Sequence, residues 1–162
     1  MSNIISINQV IKPFNKLLQI EGDKSLSIRW ALLASQANGK SKATNILRSD
    51  DVINTLNCLK KLGVKIKLSK NKCIITGVGI NGYRYKKKIV LDSGNSGTLG
   101  RLIIGLLIHS KYKIKIIGDK SLSKRDFSRV TKPLQKFGAK IQSNKGKLPV
   151  IIDSSKNIKP TR

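Results

Sequence analysis

The chain is poor in aromatic residues, cysteines and carboxylates, and each shortage excludes a kind of site. Aromatic residues are only 4% of the sequence, too few for the stacking platform of a single-strand nucleic-acid binder. The two cysteines, Cys58 and Cys73, lack metal-site spacing and are too few for a disulfide framework. We expect both as core thiols in a reducing compartment. Among 8 acidic residues, no carboxylate pair indicates acid–base catalysis, and no metal site is predicted.

Long apolar runs are also absent. The longest apolar stretch, residues 102–108, is interrupted by Gly105 and is far shorter than the roughly eighteen apolar residues of a membrane span. Residues 1–19 contain scattered lysines but neither a compact apolar block nor a small-residue cleavage site, so no signal peptide is expected. We therefore expect a cytoplasmic protein without a membrane partner.

The strongest compositional signal is a formal net charge of +25, from 33 lysines and arginines against 8 acidic residues. Such an excess is typical of nucleic-acid binding, and YRYKKK at 83–88 is its densest run. Two observations favour another origin. Most of the cations are lysines, which share A/T-rich codons with the abundant isoleucines and asparagines, and they stand singly along predicted strands, as on solvated faces. A basic module for nucleic acid or another polyanion is therefore kept only as the alternative function.

The 162 residues, 39% of them hydrophobic, suit one globular region with a core. Apolar residues at helical and alternating spacing predict a first unit at about 19–80. Asp23 is the N-cap of its first helix, and Gly39 and Gly63 end its two helices. The predicted elements are a helix over 24–37, a strand over 42–47, a helix over 50–62, and a hairpin of strands 64–69 and 72–78.

A second unit, at about 86–154, repeats this order behind a leading strand, so the fold class is α/β (α+β). The clearest repeat aligns LKKLGVKI (59–66) with LQKFGAKI (134–141). The last helix of the second unit is expected to bend at Pro133 or to start near this proline. The predicted elements are a strand over 88–92, a helix opening near Asn95, a strand over 113–118, a helix over 124–137, and strands over 139–143 and 148–153.

The hexapeptide GDKSLS occurs twice, at 22–27 and at 118–123, in different slots of the two units. Both copies are expected to lead directly into the N-terminus of a helix, where exposed N–H groups attract anions. Cations placed there oppose the helix dipole, so their recurrence indicates a site for a multiply charged anion, although abundant lysines and ordinary glycine turns would give the same pattern. The clusters are Lys24, Ser25 and Arg29; Asn95, Ser96, Gly97, Thr98 and Arg101; and Lys124, Arg125 and Arg129.

These motifs resemble, in order, three signatures of the 5-enolpyruvylshikimate-3-phosphate synthase family, the 3-phosphoshikimate 1-carboxyvinyltransferases. GDKSLSIRWALLAS (22–35) is similar to the first signature and LDSGNSGTLGRLIIGLL (91–107) to the second. GDKSLSKRDFSRVTKPLQKFGAKI (118–141) resembles a third segment. Three motifs in the right order, over nearly the whole chain, are specific. The related enolpyruvyl transferase that acts on UDP-N-acetylglucosamine lacks the Asp-Lys-Ser…Arg and Asn-Ser-Gly-Thr forms.

The resemblance implies transfer of the enolpyruvyl group of phosphoenolpyruvate to the 5-hydroxyl of shikimate 3-phosphate, with release of phosphate, on the route to chorismate and the aromatic amino acids. It implies no metal and no organic cofactor. By motif match, Lys24 contacts both substrates, and Thr98 and Arg101 support the loop. The remaining implied contacts are Ser25 and Arg29 with shikimate 3-phosphate, and Asn95, Gly97 and Arg125 with phosphoenolpyruvate.

The resemblance also implies an inside-out α/β barrel of repeated βαβαββ units, three in each of two domains. About two units are present, so we expect residues 19–162 to be an incomplete N-terminal substrate-binding domain. Residues 1–18 are expected to be a strand or linker that joins the second domain. The family's Ser-Ala-Gln segment and its second-domain arginines and acid–base groups have no counterpart here. We therefore expect an N-terminal fragment that is inactive without the missing C-terminal domain.

Two positions depart from the family pattern. Glu21 and Asp126 stand where the family commonly has proline, and Asp126 either weakens anion binding at Arg125 or caps the next helix. A further hypothesis is a non-catalytic remnant that aggregates because its helix faces and sheet edges are uncovered.

Overall fold

The computed structural model describes residues 6, 8, 10, 12, 13, 15–70, 72–155, 158 and 159. In this part of the chain, helices and strands form two successive α/β units, each with its own sheet. The predicted segment 1–18 lies largely outside the described residues, so its proposed linker role stays a prediction. No helix in the described ranges is long and apolar enough to cross a membrane.

The first unit packs two helices against a three-stranded antiparallel sheet. Its elements are α1 (Lys24–Gln36), β1 (Asn38–Thr44), α2 (Asp50–Lys61), β2 (Lys65–Leu68) and β3 (Lys72–Val78). The strand order is β1-β3-β2, so the central strand is the last in sequence. Both helices lie against one face of this sheet, which buries the apolar side of β3, including Cys73 and Ile75.

The second unit repeats this plan and adds a strand at its start. Its elements are β4 (Ile89–Asp92), α3 (Gly97–Leu107), β5 (Ile114–Ile117), a 3-10 helix (Leu122–Lys124), α4 (Ser128–Lys136), β6 (Ile141–Asn144) and β7 (Lys147–Ile152). The strand order is β4-β5-β7-β6. β4 pairs parallel with β5, and the other pairs are antiparallel. The order β5-β7-β6 thus repeats β1-β3-β2, which confirms the predicted repeat.

The repeat extends to the hydrogen bonds that end the helices. Gly63 and Gly138 follow α2 and α4 with φ of 88° and 93°, a backbone conformation that glycine adopts without steric cost. In each case the next residue's N–H donates to the carbonyl five residues before it, Leu59 at 3.1 Å or Leu134 at 3.0 Å. This bonding is that of a Schellman cap. The aligned segments LKKLGVKI and LQKFGAKI are therefore equivalent in structure as well as in sequence.

The strand predicted over 42–47 is shifted in the structure to Asn38–Thr44. Pairing with β3 decides the position, since Asn38 lies opposite Val78 and Thr44 opposite Lys72. Asn45 then has a φ of 54°, which ends the strand, and Ile46 turns into the core at 9% exposure. No glycine or proline interrupts KATNIL (42–47), so the sequence gives no sign that the strand stops at Thr44.

The helix predicted over 124–137 is shorter in the structure and is preceded by a break. A 3-10 turn ends at Arg125, whose backbone is extended, and α4 begins at Ser128 with Pro133 inside it. Phe127 causes the break: its side chain is fully buried, and its N–H donates to Gly146 O at 2.7 Å in the β6–β7 turn. A tertiary contact therefore outweighs the local helical pattern here.

A single apolar cluster extends through both units. Cys58 and Cys73 are both buried and free, which confirms their prediction as core thiols. Burial is the main cause that raises the pKa of the Cys58 thiol to about 11, so this thiol is protonated at neutral pH. The largest fully buried side chains are Phe127, Ile28, Leu56, Leu59, Leu62, Ile75, Leu91, Leu99, Ile103, Ile104, Leu107 and Ile114.

Many of the lysines lie on one solvent-facing side of the first sheet. In the pairing register, Lys40 lies opposite Thr76, which lies opposite Lys65. One pleat further along, Lys42 and Lys67 flank Ile74 in the same way. All four lysines are exposed. Alternate residues of a strand face one side of a sheet. Lysines at every second position therefore form a solvated face, as the sequence indicated.

Candidate anion-binding site

The first GDKSLS segment forms the start of α1. The Asp23 Oδ1 atom accepts the N–H of Leu26 at 2.7 Å, so Asp23 caps the helix and Lys24 is its first residue. The Lys24 Nζ atom lies 3.1 Å from Asp51 Oδ2 in the first turn of α2, and the Lys24 side chain is 50% exposed. Because an ammonium group has three N–H donors, this ion pair holds Nζ in place and leaves donors for a bound anion.

Ser25 and Arg29 follow on the same helix. Ser25 is half-buried, and Arg29 is exposed about one turn beyond Lys24. The ion pairs between described side chains are Lys24–Asp51 and Lys113–Asp153, so Arg29 has no carboxylate partner among these residues. A free guanidinium beside the α1 tip suits a phosphate or carboxylate group, which it can bind through two N–H donors.

The GNSGT segment forms a tight turn between β4 and α3. Asp92 Oδ1 accepts the N–H of Gly94 at 2.8 Å, and Gly94 has a φ of 54°. Ser96 Oγ then accepts the N–H of Leu99 at 3.2 Å and caps α3, whose first residue is Gly97. The helix thus opens two residues after Asn95, close to the predicted position, and Asn95 itself stays on the exposed turn.

Asn95 links this turn to the second GDKSLS segment. Its side-chain Nδ2 donates to Asp119 Oδ2 at 2.6 Å, and its Oδ1 accepts from Arg125 Nη2 at 2.8 Å. All three side chains are exposed. The Arg125 guanidinium therefore lies over the start of α3, and among the described residues its other N–H groups have no hydrogen-bond partner. Asn95, Gly97 and Arg125 thus lie close together.

Gly97 provides the space in which two guanidinium groups lie. A Cβ atom at Gly97 would be 2.7 Å from Arg101 Nη1 and 3.4 Å from Arg125 Nη1, while the glycine itself is buried. Arg101 also donates to Asp126 O at 2.8 Å and lies over the Phe127 ring, 5.0 Å from its centroid. Arg101 thus connects the start of α3 to the segment before α4.

Helix α2 connects the two groups of cations. Its Asp51 pairs with Lys24 at one side. Its Asn54, one turn further along the same face, closely approaches Gly94, since a Cβ on that glycine would clash with Asn54 Nδ2. The α1 tip and the Gly94–Gly97 turn consequently flank the first turns of the same helix. The geometry is suited to anionic groups held on both sides of this helix end.

The two GDKSLS copies cap their helices in the same way. Asp119 Oδ1 accepts the N–H of Leu122 at 2.7 Å, as Asp23 does for Leu26. The first copy leads into an α-helix, as predicted. The second copy forms only a three-residue 3-10 turn, and α4, the helix it was predicted to precede directly, begins at Ser128 after the break.

The family model of EPSP synthase (3-phosphoshikimate 1-carboxyvinyltransferase) matches residues 8–162. The chain belongs to the EPSP synthase family. A 3-phosphoshikimate 1-carboxyvinyltransferase from Ruthia magnifica subsp. Calyptogena magnifica is 47% identical over 146 residues, which cover 88% of this chain and 33% of the relative. The Streptococcus suis (strain 98HAH33) enzyme of the same name is 38% identical over 160 residues, covering 98% of this chain and 37% of that enzyme.

A solved structure described as EPSP synthase from Acinetobacter baumannii has the same fold in the matched region. Its TM-score is 0.84 at 36% identity, and the match covers 90% of this chain and 33% of the solved chain. The fold class of the family, a mixed α/β architecture, is thereby confirmed. The chain spans about one third of the length of these EPSP synthase relatives.

Two acidic residues of this site were not predicted from the sequence. Asp51 and Asp119 each contact a predicted substrate-binding residue, Lys24 and Asn95 respectively. Asp51 lies in the helix predicted over 50–62 and Asp119 in the second GDKSLS copy, but the partner of each belongs to a distant element. Only the tertiary packing of α1 on α2, and of the β5–α4 connection on the Gly94–Gly97 turn, brings these pairs together.

Hydrogen bonds from the Leu122 N–H and from Asn95 lower the pKa of Asp119. The unfolded chain, with an ordinary aspartate pKa of about 3.9, therefore binds more protons than the native chain near that pH. It follows that the stabilisation from Asp119 is complete above pH about 4 and is lost as the pH falls through the lower native pKa. Urea unfolding between pH 5 and 3 is expected to show a shallower loss of stability for Asp119→Asn than for the native sequence. If the free energy of unfolding fell equally steeply with pH in both proteins, this expectation would be contradicted.

Proposed function

We propose that this chain supplies the N-terminal substrate-clamping part of an EPSP synthase, which joins phosphoenolpyruvate to the 5-hydroxyl of shikimate 3-phosphate and releases phosphate. The observation that carries the proposal is the pair of cation groups on both sides of the α2 start, one built on Lys24 and the other on Arg125. Both substrates carry phosphate and carboxylate groups, and helix starts with cationic side chains bind such groups.

Each residue of the site has a proposed contact. Lys24, the centre of the first group, is proposed to contact both substrates. Ser25 and Arg29 extend from α1 and hold shikimate 3-phosphate. Asn95, Gly97 and Arg125 hold phosphoenolpyruvate, with Gly97 leaving the guanidinium groups room to approach the ligand. The proposal includes no metal or organic cofactor.

The proposed reaction is an addition followed by an elimination. The 5-hydroxyl gives its proton to a base as its oxygen bonds to C2 of phosphoenolpyruvate, and C3 gains a proton from an acid. A base then removes a proton from C3, the C2–C3 double bond re-forms, and the C2–O bond to phosphate breaks, which releases phosphate. Fixed cations stabilise the charge that develops on phosphate and carboxylate, because they need no reorganisation during the reaction. Holding both substrates together also removes much of the entropic barrier.

The remaining parts of the machinery are proposed to lie outside these residues. In this proposal, residues 19–162 are part of an N-terminal domain, residues 1–18 connect it to a C-terminal domain, and that second domain supplies the groups that move protons. The protein acts in the cytoplasm on small-molecule substrates and not on nucleic acid. Without the second domain, the chain is expected to bind substrate but not to turn it over.

A chimera tests the proposal directly. Residues 8–162 replace the matching third of the Acinetobacter baumannii EPSP synthase, and phosphate release is measured with both substrates, with each alone, and in the parent enzyme. We expect release that requires shikimate 3-phosphate and phosphoenolpyruvate together. A folded chimera that binds neither substrate contradicts the proposal. If the 162-residue chain instead binds RNA tightly, with an affinity that falls steeply with salt, the alternative of a polyanion-binding module is favoured.

Replacing Gly97 with alanine in the chimera is expected to raise the KM for phosphoenolpyruvate. The new Cβ would lie 2.7 Å from Arg101 Nη1 and 3.4 Å from Arg125 Nη1. These atoms end flexible side chains, so the helix still forms while the guanidinium groups move. Because small misplacements of binding groups have large kinetic effects, we expect about a tenfold increase in KM or more.

Gly105 provides the matched control in the same helix. Apart from its chain neighbours and the backbone of its own helix, no atom of the described residues lies within 4 Å of a Cβ at that position. Gly105→Ala is therefore expected to leave the KM unchanged and to raise the free energy of unfolding by about 0.5–1 kcal/mol, the usual gain in a helix interior. Equal KM effects of the two substitutions would contradict the role of Gly97.

A further inference from the structure

We infer that Asp119 is a positioning residue, which fixes the direction of the Asn95 side-chain amide and thereby the place of the Arg125 guanidinium. This inference rests on the proposed role of Arg125 in holding phosphoenolpyruvate.

Each oxygen of Asp119 has a separate partner. Oδ1 accepts the N–H of Leu122 at 2.7 Å, which caps the 3-10 turn that leads to Arg125. Oδ2 accepts from Asn95 Nδ2 at 2.6 Å. A single carboxylate therefore ties the backbone of the GDKSLS turn to the side chain of the GNSGT turn.

The amide of Asn95 transmits this contact because its two ends differ chemically. One end carries two donors and the other accepts. When the Nδ2 end faces Asp119, the Oδ1 end faces Arg125 and accepts from its Nη2 at 2.8 Å. If the Asn95 amide were reversed, its Nδ2 donors would face the Arg125 guanidinium, which has only donors. Asp119 consequently determines whether Arg125 has a hydrogen-bond acceptor at this point.

If Asp119 acted only through its negative charge, it would weaken the binding of an anionic ligand. A carboxylate this close to Arg125 repels phosphate and carboxylate groups of a ligand. Removing its charge would by itself tighten the binding of an anion. Positioning predicts the opposite sign, and this difference makes the two roles separable by experiment.

Asp119→Asn is nearly isosteric and tests the positioning role specifically. Its one amide oxygen can still cap Leu122, since asparagine is a good N-cap. The Nδ2 group of the new asparagine then faces the Nδ2 group of Asn95, so two donors meet without an acceptor. We expect the Asn95 amide to rotate by 180° as a result, so that Arg125 loses its hydrogen-bond acceptor. Asp126→Asn is the matched control: it removes the same charge beside Arg125, but the Asp126 carboxylate accepts from Ser128, whose N–H donates to Oδ1 at 2.8 Å, and not from Asn95.

The first measurement uses the ligand-free 162-residue chain and follows the side-chain amide NMR signals of Asn95. We expect shifted, slowly exchanging signals in the native sequence and in Asp126→Asn, and their loss in Asp119→Asn. Unchanged Asn95 signals in Asp119→Asn overturn the inference. This result does not depend on any substrate, so it decides the positioning role even if the proposed function fails.

The second measurement is the affinity for phosphoenolpyruvate, measured by isothermal titration calorimetry. We expect about tenfold weaker binding in Asp119→Asn, the effect of one charge-assisted hydrogen bond. Asp126→Asn is expected to bind as tightly as the native chain or more tightly. Tighter binding in Asp119→Asn would show that only its charge acts and would overturn the inference. If the native chain itself does not bind phosphoenolpyruvate, the proposed function fails and the NMR result stands alone.

Asp119→Glu covers the case in which Asp119→Asn does not fold. The longer side chain keeps the charge and both acceptor oxygens. It is expected to retain the Asn95 signals and most of the affinity for phosphoenolpyruvate. A folded Asp119→Glu chain that has lost the affinity while the Asn95 signals remain would overturn the link between Asn95 and Arg125.

Discussion

Lys24→Ala is expected to lower kcat of the chimera by about a thousandfold or more, because in the proposed function it removes a fixed cation that contacts both substrates. The substitution also leaves the Asp51 carboxylate, which is 19% exposed, without its partner. That carboxylate then repels the anionic groups that the ammonium attracted. Steady-state release of phosphate measures the effect, and the affinities for both substrates are expected to fall.

Lys120→Ala is the matched control for Lys24→Ala. Lys120 occupies the same position in the second GDKSLS copy and is exposed, but the segment there forms only a 3-10 turn. We expect its kcat to stay near that of the unsubstituted chimera. Stability is a second control: half-exposed ion pairs contribute at most about 1 kcal/mol, so the urea midpoint should change little in either variant. Equal kinetic effects of the two substitutions would contradict the role of Lys24.

Arg125→Ala is expected to weaken phosphoenolpyruvate binding by about ten- to a hundredfold, the effect of losing a charge-assisted contact. Binding of shikimate 3-phosphate to the enzyme alone is expected to remain unchanged. This pattern separates Arg125 from Lys24, whose loss affects both substrates. Titration of each substrate against the chimera, followed by fluorescence or calorimetry, measures both affinities.

Arg129→Ala is the control for charge alone. Arg129 lies on α4, four residues beyond Arg125, and is also exposed. If the general positive charge of the chain attracts the substrates, the two arginine variants should lose similar affinity. If Arg125 binds through its specific place above Gly97, only Arg125→Ala should lose it.

The repeated architecture was predictable because its signals are local. Gly63 and Gly138 end equivalent helices, and the same apolar spacing surrounds both, so one alignment located both helix ends and the strands after them. The limits of β1 were not predictable, since pairing with β3 and the positive φ of Asn45 set them. The start of α4 depends likewise on the burial of Phe127, which the helical pattern around it conceals.

The candidate site was predictable only in part. Motif resemblance identified the cations and the glycine turn, and the structure brings Asn95, Gly97 and Arg125 together. The carboxylates that hold these groups, Asp51 and Asp119, produce no periodic signal. Their contacts connect elements that are distant in sequence, so they follow from how the two units pack rather than from any segment alone.

The most direct test of the account is phosphate release by the chimera with both substrates present. The account predicts release that needs shikimate 3-phosphate and phosphoenolpyruvate together, that Lys24→Ala abolishes, and that Lys120→Ala leaves intact. A chimera that folds like its parent enzyme but releases no phosphate and binds neither substrate would contradict the claim that these residues form a substrate clamp.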